Sequence, residues 1–157
     1  HQKLYHDLVL NPRLIGGWIS KPVDSFFNLN AGGLPGLRGY SFYSLGGTRK
    51  LVTRLAMRFP ILTDLDRSWG PFHLDRIHGS VFAEAGDAWA GKPESATIKK
   101  DVGAELRLKM FSWYGLPTDI QFAGAYGLDQ FHVKDASGIH TYGHEWRWYF
   151  TVLFGFL

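Results

Sequence analysis

A histidine-rich segment near the C-terminus has the side chains best suited to chemistry in this 157-residue sequence. His140, His144 and Glu145 could supply zinc ligands, and histidines four residues apart share a metal when they lie on one helix. Their segment has the composition of a turn or strand, in which four residues span about 13 Å. Ligands that must each lie about 2 Å from one ion cannot be so far apart. We therefore expect no metal at these residues.

Two further segments could suggest catalysis or phosphate binding. His73, Asp75 and His78 have no nucleophile beside them in a recognisable setting. The run 32–36, Gly-Gly-Leu-Pro-Gly, is not followed by the Gly-Lys-Ser/Thr of a phosphate-binding loop. The sequence therefore predicts neither an enzyme nor a cofactor.

A single arginine in a glycine-rich loop is the more unusual feature. Arg38 lies between Leu37 and Gly39 in the stretch GLPGLRGYSFYSLGGTRK, and we expect the loop to span 21–47. Taken alone, this residue would be an exposed loop arginine. If the loop were enclosed, its planar guanidinium would need a partner, and its shape suits bidentate contact with a carboxylate.

The composition narrows the class of protein. Charged residues are 20% and aromatic residues 16% of a chain of one-domain length, which is typical of a folded protein. No apolar run is long enough for a transmembrane helix. The absence of cysteine excludes disulfides and thiolate metal sites and fits an extracytoplasmic protein. A dispersed net charge of +3 argues against nucleic acid as a partner.

Apolar and polar residues alternate along most of the chain, as in strands, whose successive side chains point to opposite faces. Between residues 101 and 111, for example, Leu106 falls on an apolar face and Glu105 on a charged face. The pattern predicts an all-β chain with strands at 13–20, 50–61, 76–89, 101–111, 118–128 and 146–157. Most of these strands are longer than the average of about five or six residues.

Long strands with one apolar face fit two architectures. In a soluble β-sandwich or barrel the apolar face is the core, whereas in a transmembrane β-barrel it meets lipid and the polar face lines the lumen. Strand length and the tryptophans near strand ends favour the transmembrane barrel. The last strand favours it too, because a fully apolar face would be an aggregation hazard on a soluble sheet. That face carries Trp146, Trp148, Phe150, Val152, Phe154 and Phe156.

Six strands are too few to close a membrane barrel, since single-chain bacterial barrels begin at eight strands. The chain also begins with His1 rather than Met. We therefore expect 1–157 to be the C-terminal portion of a larger antiparallel barrel, or to close a barrel with other chains.

Several motifs, in order along about 125 residues, resemble one family of outer-membrane proteins. They are Leu37-Arg38-Gly39-Tyr40, Leu-Gly-Gly at 45–47, Leu-Ala-Met-Arg-Phe-Pro at 55–60, the strand around Glu84, the strand at 101–107 and the aromatic last strand. Together they resemble the BamA/TamA and two-partner-secretion translocator superfamily. This sequence departs from that family in having Glu84 in place of an aspartate, and Leu157 after Phe156 in place of a terminal phenylalanine.

The resemblance implies a barrel of sixteen strands whose long loop folds back into the lumen. The loop arginine of that family pairs with acidic residues of the inner wall. Strand alternation places Glu84 and Glu105 on inward faces, so we expect Arg38 to pair first with Glu84 and second with Glu105. Trp148, Phe150, Phe154 and Phe156 would form the family's C-terminal strand signal.

The function implied by the resemblance is insertion or translocation of client proteins at the outer membrane of a Gram-negative bacterium, without nucleotide. The implied partners are outer-membrane lipid, client outer-membrane or secreted proteins, the remaining barrel strands, and periplasmic domains or accessory subunits. Two alternatives stay open: a membrane anchor for an upstream enzymatic or binding domain, and a passive porin-like channel.

Overall fold

The computed structural model describes residues 8–20, 27–63, 65–91, 97–113, 115–135 and 138–155. These residues form strands and connecting segments, with no α-helix among them. The strands are β1 (Val9–Trp18), β2 (Leu29–Asn30), β3 (Gly46–Gly47), β4 (Arg49–Leu62), β5 (Arg67–Trp69), β6 (Phe72–Trp89), β7 (Lys99–Ser112), β8 (Leu116–Gly127), β9 (Phe131–Asp135), β10 (Gly138–Tyr142) and β11 (Trp146–Phe154).

One antiparallel sheet dominates the fold, with strand order β1-β4-β6-β7-β8-β11 and β5 paired to β6. Its six principal strands are the six that alternation predicts, so the all-β antiparallel prediction is confirmed. β6 begins earlier than predicted, because its first residues pair with β5 across a tight turn at Gly70. The short hairpin β9–β10 and the small ladder β2–β3 were not predicted.

The described sheet has two open edges. β1 pairs only with β4 and β11 only with β8 among the described residues, so these residues do not form a closed barrel. The sixteen-stranded barrel therefore stays a prediction.

The two faces of the sheet differ as the alternation predicts. Large apolar side chains cover one face and nothing in the described chain packs over them; Phe150, for example, is 68% exposed. This apolar face carries Leu51, Leu55, Val81, Val102, Leu106, Phe122, Trp148 and Phe150. The opposite face, called the loop face below, carries Val52, Arg54, Ala56, Phe82, Glu84, Asp101, Glu105, Ala123, Ala125 and Tyr149.

The main cluster of buried apolar side chains lies between the loop face and the long loop. Leu37 and Tyr40 of the loop are fully buried there against the sheet. Ala31 and Leu45 from the loop, with Val52 and Ala88 from the sheet, complete the cluster. The loop therefore covers the part of the charged face around Arg38, and the more apolar face is uncovered.

In the part of the chain that the structure describes, no helix is long and apolar enough to span a membrane.

Candidate functional site

The long loop crosses the loop face as an ordered segment, described here from residue 27 onward; residues 21–26 of the predicted 21–47 loop lie outside the described residues. Its two limbs are joined by a backbone hydrogen bond from Ala31 N to Leu45 O, at 2.9 Å. Leu37 N also donates to Ala31 O, at 2.6 Å. Gly36 is required in this turn, since a Cβ there would lie 1.9 Å from the carbonyl oxygen of Ala31. These contacts shape the turn that presents Arg38.

Arg38 is 7% exposed and contacts both carboxylates that the sequence singles out. Its backbone N–H donates to Glu84 Oε2 at 2.9 Å, and its Nη1 donates to Glu105 Oε2 at 2.8 Å. The guanidinium Nε lies 3.5 Å from Glu84 Oε1. The expected order of the two partners is therefore reversed for the guanidinium, which bonds directly to Glu105, while Glu84 holds mainly the backbone.

Glu84 is shared between Arg38 and a second arginine, Arg54. Arg54 lies directly opposite Glu84 in the β4–β6 ladder, and its Nε forms an ion pair with Glu84 Oε1. Its Nη2 also donates to the carbonyl oxygen of Gly36 at 3.3 Å. Arg54 thus joins the sheet to the loop on the side opposite Glu105.

An aromatic ring lies beneath the Arg38 guanidinium. The Cζ atom of Arg38 is 4.1 Å from the ring centroid of Phe82, which is itself 5% exposed. Such a contact stabilises a desolvated cation by about 2 kcal/mol. Phe82 lies over Gly103 of β7, where a Cβ would come 2.4 Å from the ring. The glycine therefore lets the ring lie flat under the arginine.

Gly39 makes the closest approach of the loop to the sheet. Its N–H donates to Asp101 Oδ2 at 2.7 Å. A Cβ at this position would lie 2.7 Å from both Asp101 Cβ and the backbone nitrogen of Gly127. The packing of Gly39 against β7 and β8 thus leaves no room for a side chain at the middle residue of Arg-Gly-Tyr.

Tyr40 anchors the loop at the N-terminal end of β7. Its hydroxyl donates to the carbonyl oxygen of Lys100 at 2.8 Å and accepts from the N–H of Asp129 at 3.0 Å. Burial raises the pKa of Tyr40 to about 12, so the hydroxyl keeps its proton at neutral pH and can donate. The ring also packs on Phe131, with centroids 5.6 Å apart.

The edge strand β11 reaches the same loop. Tyr149 donates its hydroxyl proton to the carbonyl oxygen of Arg38 at 2.6 Å. Arg38 is thereby in contact with β6, β7 and β11 at once. These ion pairs and hydrogen bonds fix the position of the loop on the sheet.

The sequence did not single out Arg54, Phe82, Asp101 or Tyr149 as members of this site. Strand alternation places all four on the face shared with Glu84 and Glu105, so the signal was present. The register of strand pairing decides which of these residues are neighbours. It places Arg54, Glu84 and Asp101 directly opposite one another across β4, β6 and β7.

The aromatic residues predicted as a C-terminal signal lie on the opposite side of the sheet. Trp148, Phe150 and Phe154 are exposed on the apolar face, and Phe156 lies outside the described residues. Trp148 stacks on Phe122 of β8 and on Trp146, with centroids 5.5 Å apart in each pair. Neighbouring rings therefore form a continuous aromatic surface at the edge strand.

No protein-family model matches this chain, and comparisons with curated proteins and with solved structures give no match. The resemblance to the BamA/TamA superfamily thus remains an interpretation of the motifs.

Proposed function

We propose that this chain is part of an outer-membrane β-barrel that inserts or translocates client proteins. In this proposal the apolar face meets lipid and the loop face lines a lumen that contains the long loop. The observation that carries the proposal is the burial of Arg38 among Glu84, Glu105 and Phe82. This site lies on the face opposite the exposed apolar side chains.

The distribution of apolar surface supports a lipid environment. A soluble antiparallel sheet commonly covers its apolar face and leaves its polar face to water. Here the long loop covers part of the polar face, and leucine, valine and aromatic side chains are exposed along the other face. Lipid would cover those side chains without any further protein layer.

The open edges of the sheet define what else the barrel needs. Unpaired strand edges are not tolerated in hydrocarbon, and β1 and β11 are the edges of the described sheet. The proposal therefore requires further strands, from the rest of a longer protein or from other chains. A client strand could pair with such an edge and bury its own apolar face in lipid, which would drive insertion without nucleotide.

The contacts of the loop favour assembly or translocation over a passive channel. A porin needs no buried arginine that joins three strands. In this proposal the loop holds β6, β7 and β11 in one relative position, so its placement sets the state of the barrel wall.

Replacement of Arg38 by alanine in the full-length protein tests the proposal. We expect Arg38→Ala to lower activity in a depletion-rescue assay while heat-modifiable migration on gels shows a folded barrel. Arg67→Ala, which removes an exposed arginine of β5, is the matched control. Full rescue by Arg38→Ala would overturn the assembly role, and increased ion conductance together with full rescue would support a porin whose lumen the loop narrows.

A further inference from the structure

A cluster of cations lies on the loop face of the sheet, next to the site that binds Arg38. The cations Arg58, Arg76, Arg107 and Lys109, together with the side chain of His78, line a cavity of 380 Å³, called the cationic cavity below. They come from three adjacent strands, β4, β6 and β7, toward the ends joined by the β5 hairpin and the β7–β8 turn. The cavity is therefore built by the sheet itself.

Strand register sets like charges against each other in this cavity. Arg76 lies directly opposite Lys109, and His78 lies directly opposite Arg107. Like charges at directly opposed positions destabilise a sheet. Asp119 faces Lys109 from β8, yet the two make no ion pair. The row of Arg76 and Lys109 thus holds two cations side by side, and Arg76 is also ion-paired with Asp75 at 2.7 Å. An anion in the cavity would be attracted by Lys109 and by the arginines beside it.

The carboxylates near the cavity are already engaged. Glu105 is the acidic residue among its lining side chains, and it accepts from Arg38 at 2.8 Å and from Arg107 at 3.1 Å. Arg58 and Lys109 form no ion pair with any described residue. Both side chains are exposed to the cavity and keep their full capacity to bind an anion.

We propose that the cationic cavity binds a phosphate group. Guanidinium groups bind phosphate oxygens through pairs of parallel hydrogen bonds, and lysine adds a compact charge. A cavity of 380 Å³ has room for a phosphate with a substituent, since one water occupies about 30 Å³ in the liquid. The phosphate could belong to a soluble molecule or to a lipid headgroup. This proposal does not depend on client assembly, because it requires only that the cavity is open to water.

Calorimetric titration of pyrophosphate into the full-length protein in zwitterionic micelles at low salt tests this site. We expect saturable binding of one pyrophosphate, and an increase in Kd of about tenfold for Arg58→Gln and for Lys109→Gln, since each removes one charge-assisted contact. Neither residue takes part in an ion pair, so the contacts of Arg38 stay intact. Lys100→Gln removes a charge from the same strand outside the cavity and should leave Kd unchanged.

Vesicles distinguish the two sources of phosphate. If phosphatidic acid in phosphatidylcholine vesicles binds in the cavity, free pyrophosphate should displace it, and Lys109→Gln should weaken the binding of both ligands. A lower Kd for phosphatidic acid than for pyrophosphate would then assign the site to a lipid headgroup, and the reverse order would assign it to soluble phosphates. An absence of saturable binding in both formats would overturn the proposal, as would equal weakening by Lys100→Gln and Lys109→Gln. Such a failure would leave the assembly role untouched, because that role is tested at Arg38 in the rescue assay.

Discussion

The hydroxyl of Tyr149 on the edge strand donates a 2.6 Å hydrogen bond to the carbonyl oxygen of Arg38. This bond joins a strand with an unpaired edge to a loop residue whose other contacts, with Glu84 and Glu105, lie on the interior strands β6 and β7. The position of the loop and the position of β11 are therefore linked through one phenol. A displacement of β11 would remove this contact.

Tyr149→Phe should loosen the loop without unfolding the sheet. Loss of one hydrogen bond should lower the free energy of loop release by about 1 kcal/mol. Hydrogen exchange of the amide of Gly39 measures this opening. Tyr126→Phe, which removes a hydroxyl from the neighbouring strand β8, is the matched control. Equal exchange in the two variants would show that the Tyr149 bond does not hold the loop.

Glu84→Gln should be among the most destabilising single changes on the loop face. The side chain of Glu84 is fully buried and contacts Arg38 and Arg54. Removal of its charge leaves the largely buried guanidinium of Arg54 without its carboxylate partner, while Arg38 keeps Glu105. Breaking a buried pair in this way costs about 3–5 kcal/mol. Urea unfolding of the protein in bilayers measures the loss.

Glu145→Gln is the control for the loss of an ion pair as such. Glu145 pairs with Arg147 at an exposed position of the sheet edge, where such pairs contribute about 0–1 kcal/mol. A similar loss of stability in the Glu84 and Glu145 variants would contradict the buried network described here.

Gly39→Ala should displace the tip of the loop from the sheet. The new methyl group would overlap the backbone of Gly127 and the Cβ of Asp101, both at 2.7 Å, and overpacking of this kind costs about 1–3 kcal/mol. Limited proteolysis within 29–47 measures the displacement. Gly46→Ala is the control, because a Cβ there has its closest contact at 3.4 Å. If the loop of Gly39→Ala stays as resistant to proteolysis as that of the unchanged protein, this close packing would be contradicted.

Leu106→Lys tests which face meets lipid. Leu106 lies near the middle of β7 on the apolar face, and a lysine at mid-membrane should cost about 2–4 kcal/mol. Ile98→Lys, at an exposed apolar residue directly before β7, should cost about 0–1 kcal/mol because the end of a membrane strand lies near the interface. Folding titrations into bilayers measure both values. A negligible change for Leu106→Lys would overturn the lipid-facing assignment.

Sequence alternation predicted the principal strands because the two-residue side-chain period is a local property of an extended chain. The predicted limits lie within two residues of those found for β4, β7 and β8. The same period assigned Leu106 and Glu105 to opposite faces. It could not find β5 or the β9–β10 hairpin, since strands of three or five residues contain too few alternations to stand out.

The sequence by itself thus determined the strand order along the chain, the two contrasting faces and the set of charged side chains that share one face. Only the tertiary structure decided which of those side chains meet. Register across β4, β6 and β7 places Arg54, Glu84 and Asp101 in one row. The path of a glycine-rich loop, which local preferences leave open because glycine permits many conformations, then brings Arg38 to Glu105 and Tyr149.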